Sequence, residues 1–89
     1  MTPEQEVLGR FTSGNRLTEM PAKRSHRLVV LERLALEFEP GRRYPEPEVN
    51  GMLSLWHPDY AMLRRALVDE RYLDRAEGVY WRSGGRVDV

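Results

Sequence analysis

Six prolines punctuate this 89-residue chain, and their placement limits its fold more than any other feature. Proline fixes φ at about −65° and has no N–H, so it suits the first turn of a helix and breaks one from inside. Pro3, Pro21, Pro47 and Pro58 each stand just ahead of an apolar-periodic stretch and read as helix starts. Pro40, followed by Gly41, reads as a helix end, and Tyr44, just before Pro45, is biased toward extended backbone. The prolines thus mark out separate helical segments, and at 89 residues most of the core must come from a few long helices.

The stretches between the prolines have helical periodicity. Thr2 can cap the first helix, with Gln5 completing a capping box, and Val7, Leu8 and Phe11 form a short stripe that Gly14 stops. The longest pattern runs from Pro21 to Pro40; Arg24, Arg27, Leu28, Leu31, Leu34, Ala35 and Phe38 share one face at about 100° per residue. Val29, Val30 and Leu36 fall elsewhere, so this helix needs a second cover, either the N-terminal helix or a second copy of the chain. Val49, Met52, Leu53 and Trp56 make a one-faced stripe after Pro47, and Tyr60, Leu63 and Leu67 another after Pro58. "RYLDR" and "VYWRS" flank "AEG" as two strands and a tight turn.

The predicted order is helix, short strand, helix, helix, strand, turn, strand. That is a mainly α fold with a small β-hairpin (α+β): a winged helix-turn-helix with an extra N-terminal helix. Residues 1–16 form a helical arm, 17–83 the winged-helix domain and 84–89 a flexible tail. Leu31, Phe38, Val49, Leu53, Leu63 and Leu67 are its expected core, and Trp56, Tyr60, Tyr80 and Trp81 read as core rather than as stacking platforms for single strands.

Charge excludes some classes. The 14 basic and 14 acidic side chains cancel, which argues against a strongly basic coat protein or a polybasic membrane binder. The distribution is uneven: residues 10–43 hold eight Lys/Arg against four Asp/Glu, while 57–89 hold six of each. With no cysteine there is neither a disulfide framework nor a thiolate metal site, and no apolar run is long enough for a membrane span. A cytoplasmic location is expected. His26 and His57 lie on different segments without metal-ligand spacing, no Gly-rich phosphate loop occurs, and no serine has a His–acid arrangement nearby in sequence. The expectation is a non-enzyme without cofactor or metal.

The segments "KR", "FEPGRRY", "EVN", "HPDYAMLRRALVD" and "YLDR…YWR" together resemble the bacterial family named domain of unknown function 2087, over roughly residues 17–82. Members of that family are similar to winged-helix modules, and some occur beside regulator-type helix-turn-helix domains. The resemblance implies a winged-helix fold and transcription-related work.

On such a fold the third core helix faces the major groove. Arginine is the commonest reader there, because its fork matches guanine O6 and N7. Arg65 projects opposite the apolar face, beside Ala61, Val68 and Asp69, and is the expected base reader; Arg64, on the flank, is the expected phosphate contact. Arg75, Arg82 and Arg86 would place the wing on phosphates, against the repulsion of Asp74 and Glu77. Lys23 and Arg24, with Arg27, form the most positive short run, at a helix start that can hold a phosphate. The alternative for each is structural: Arg65 paired with Asp69 at i+4, a purely structural hairpin, and Arg24 and Arg27 packing their stems over the core. The expected partners are accordingly double-stranded DNA, a second copy in a homodimer, or a regulator protein. The alternative function is a winged-helix interaction module that does not bind DNA.

Overall fold

A computed structural model describes residues 2–83. It holds four helices and two small antiparallel sheets in the order α1 (Pro3–Phe11), β1 (Thr12–Ser13), β2 (Arg16–Leu17), α2 (Arg24–Ala35), β3 (Arg43–Pro45), α3 (Glu46–Ser54), α4 (Tyr60–Asp69), β4 (Leu73–Ala76) and β5 (Val79–Arg82). The larger sheet runs β3-β5-β4. This mixed α+β architecture is compatible with a winged-helix-like fold, with α2, α3 and α4 as its helices and β4–β5 as its wing. The tail expected over 84–89, and Arg86 with it, lie outside the described residues.

Local chemistry sets most of the helix ends. Thr2 accepts from the Gln5 N–H and the Gln5 side chain accepts from the Thr2 N–H, so α1 opens with the reciprocal capping box. Asp59 caps α4 by accepting from the Met62 N–H at 3.2 Å. α4 closes with a Schellman motif: the Tyr72 N–H donates to Leu67 O at 2.9 Å and the Arg71 N–H to Val68 O at 3.0 Å. Arg71 takes the left-handed position usually given to glycine, with φ 64°. The wing turns on Glu77 and Gly78, both at positive φ, as a two-residue hairpin of primed type demands.

The long helix is shorter than its apolar pattern. It begins at Arg24 rather than Pro21, whose ring is buried ahead of it, and ends at Ala35 rather than at Pro40. Leu36, Glu37 and Phe38 bond back three residues, to Arg33, Leu34 and Ala35, which tightens the last turn and lets Phe38 swing into the core. The Tyr44 hydroxyl then accepts from the Glu39 N–H at 2.9 Å, satisfying backbone that Pro40 and Gly41 leave without a ladder.

The six expected core residues are all buried, joined by Val30, Leu34, Tyr44, Tyr72, Leu73 and Tyr80. Val30, one of the residues that needed a second cover, is 2% exposed, and α1 packs on α2. Leu8 and Phe11 of α1 lie against the same core. Val29 is half-buried and only Leu36 remains open, at 59%. One helix thus covers most of the surface for which a second copy was the alternative. The β1–β2 hairpin was not anticipated. Gly14, at φ 63°, lets the chain fold back after α1, and the Leu17 N–H donates to Trp56 O at 2.8 Å, tying the hairpin to the end of α3.

The aromatic residues divide. Trp56 and Tyr80 are core, whereas Tyr60 is 39% exposed on the first turn of α4. Trp81 is half-buried on the other sheet face, where its cross-strand partners are Arg43 and Asp74. Alternation along a strand explains this: Tyr44, Tyr80 and Arg75 are cross-strand partners on the inner face, and Arg43, Trp81 and Asp74 on the outer. The Arg43 guanidinium covers the Trp81 ring at 4.5 Å.

Candidate functional site

α4 and the wing meet in a cleft of about 410 Å³, lined by Arg64, Arg65, Val68, Asp69, Arg75 and Tyr80. Residues that the sequence places on separate elements therefore converge. Arg65 comes from the side of α4 away from buried Leu63 and Leu67, Arg64 from its flank, and Arg75 from the inner register of β4, opposite Tyr80.

The three arginines are held differently. Arg64 is half-buried; its Nη1 donates to the Asn50 side chain and its Nε lies 3.6 Å from Glu46 Oε1. Glu46 Oε1 also accepts from the Tyr80 hydroxyl at 2.8 Å, so one carboxylate at the start of α3 ties α4 to β5. Its position in the first turn of α3 also suits the helix dipole. Arg65 is exposed and makes no ion pair among the described residues; the i+4 pair with Asp69 does not form. Arg75 is exposed, and the Tyr80 phenol, chiefly by side-chain hydrogen bonding, holds its pKa above the ordinary value. Glu46 and Asp69 add to this by their charge.

The other predicted site residues lie apart from this cleft or contribute none of its lining. Ala61 is half-buried on α4. Arg82 is half-buried and donates to Phe38 O at 3.4 Å, a long bond that points it at the end of α2. Lys23 is exposed at the N-cap of α2 without a capping bond. Arg24 is spoken for: Nε and Nη2 reach the two Glu70 oxygens at 3.1 and 2.9 Å. That fork-to-fork bond raises the Arg24 pKa. Arg27 donates to the Ala22 carbonyl. Both arginines at the start of α2 thus have partners within the protein, and Lys23 is exposed there.

Sequence reading missed Glu46, Asn50, Glu70 and Tyr80 as partners. Glu46 and Asn50 are i, i+4 neighbours on α3, so a shared polar face was legible; what they would meet was not. His57 accepts at Nδ1 from the Asp59 N–H at 3.0 Å, just ahead of α4. Among the described residues no group of three or more His, Cys, Asp or Glu is placed to hold a metal. No described helix is long and apolar enough to cross a membrane.

The family model described as "Uncharacterized protein conserved in bacteria (DUF2087)" matches residues 16–82. The chain belongs to that family. The matched span contains β2, the three helices α2 to α4 and the whole of the larger sheet, leaving α1 outside it. No curated protein and no solved structure matches the chain.

Proposed function

We propose that this bacterial family member binds double-stranded DNA in the cytoplasm as a regulator-type module, with α4 presented to the major groove and the wing beside it. One observation carries the reading: Arg65, exposed and without an acid partner among the described residues, lines one cleft with Arg75 of the wing. A guanidinium without an ion pair, such as that of Arg65, is what a phosphate backbone or a guanine edge can recruit without first breaking an internal bond. Titration of the protein with mixed-sequence duplex DNA at two salt concentrations tests it. Binding should weaken as salt rises, log K falling by about 0.9 per phosphate neutralised for each unit of log salt. Absence of binding at low salt, where counterion release helps most, would sink the reading.

A second reading, a protein-interaction module that pairs with itself or with a regulator, has its own support. Leu55 is 69% exposed and Leu36 59%. A groove of about 510 Å³ is lined in part by Arg33, Met52, Leu55 and Trp56. Sedimentation equilibrium separates the two: this reading expects a dimer whose association falls with Leu55→Ser.

A further inference from the structure

The cleft between α4 and the wing has a chemistry more specific than general basicity. A flat base edge calls for one fork in the plane of the base, reached by a side chain that projects from the helix. Here guanidinium-bearing residues enter a concave site from two elements, Arg64 and Arg65 from α4 and Arg75 from β4, with Tyr80 in its lining. Three arginines against one aspartate leave a lining charge of 3 − 1 = +2. Arg64 is already fixed by Asn50 and Glu46 and serves as a wall, while Arg65 is the open fork and Arg75 the one across from it. A tetrahedral anion, which accepts from several directions at once, fits such a site better than a planar acceptor does.

The geometry points to this cleft as a binding site for a single phosphate group, gripped by Arg65 of α4 and Arg75 of the wing. For a DNA ligand the inference rests on the proposed function, and it moves Arg65 from reading a base to clamping the backbone. The same cleft chemistry would take a phosphate of a small molecule. Asp69 is the internal check, since its carboxylate lies in the lining and opposes any anion.

Two titrations of the whole chain separate the sources, one with inorganic pyrophosphate and one with mixed-sequence duplex DNA. Binding of both is expected, with Arg65→Ala and Arg75→Ala each weakening both by about tenfold or more, as loss of a charge-assisted contact does. Each substitution should also flatten the DNA salt slope by about one phosphate. Asp69→Asn should tighten both ligands, a gain that a folding defect cannot imitate. Pyrophosphate binding that needs both arginines, with no duplex binding, keeps the phosphate site and removes the DNA reading. Duplex binding with an unchanged salt slope in both variants, or with Arg65→Ala relaxing only sequence preference, overturns the clamp while leaving DNA binding in place. If neither ligand binds, both fall.

Discussion

Two arginine-rich regions of this molecule look alike in sequence and differ in what they offer. The start of α2 carries Lys23, Arg24 and Arg27, and the cleft beside α4 carries Arg64, Arg65 and Arg75. At α2 both arginines are engaged internally, Arg24 bidentately by Glu70 and Arg27 by a backbone carbonyl, and Lys23 is exposed there without a capping bond. In the cleft Arg64 is tied down and Arg75 is held by Tyr80, whereas Arg65 is exposed without an ion pair among the described residues. Glu70 lies just past the end of α4, so the same helix whose body presents Arg65 without an ion pair among the described residues supplies, at its end, the acid that pairs with Arg24. Local charge density thus says little about availability; which carboxylate the fold delivers decides it.

The contrast depends on α4 being anchored, which gives the largest expected effect. Leu63 is fully buried, and Leu63→Ala should cost on the order of 2–5 kcal/mol through lost burial and the cavity left behind. Chemical denaturation measures it, and a change below about 0.5 kcal/mol would mean that α4 is not seated by this residue.

The comparison itself is broken or kept by two binding variants. The double variant Arg65→Ala/Arg75→Ala should lose about a hundredfold in duplex affinity, two contacts at about tenfold each. Arg24→Ala should change it less than twofold, since Arg24 already has a partner. Equal losses in fluorescence anisotropy titrations would erase the distinction between the regions.

The tie between α3, α4 and β5 comes next. Glu46→Ala leaves the buried Tyr80 without its acceptor and Arg64 with Asn50 alone, for an expected loss of about 1–2 kcal/mol in thermal or chemical unfolding. Glu46→Gln retains an acceptor and should recover most of it. If the two variants prove equally unstable, the carboxylate charge matters more than the bridge.

The smallest effect concerns the turn that leads from α4 into the wing. Arg71 adopts φ 64° where a glycine costs nothing, so Arg71→Gly should stabilise the fold by about 1 kcal/mol, seen as a higher unfolding midpoint. Destabilisation instead would reveal a side-chain role that outweighs the backbone strain.

The sequence by itself determined the local events: the Thr2–Gln5 capping box, the extended piece at Tyr44, the helices opened near Pro47 and Pro58, the wing turn and the six core positions. Each depends on φ, ψ and side-chain period within a few residues, which composition and spacing encode directly. Only the tertiary structure decided that α2 stops at Ala35, that Val30 is buried, that Trp81 lies on the outer sheet face, and that Gly14 turns a second hairpin. It also sorted the arginines. The bonds that do so join residues 14, 34 and 46 positions apart, Arg64 to Asn50, Tyr80 to Glu46 and Arg24 to Glu70. Such pairs form only once packing of the apolar faces has brought the elements together, and no short-range rule carries that information.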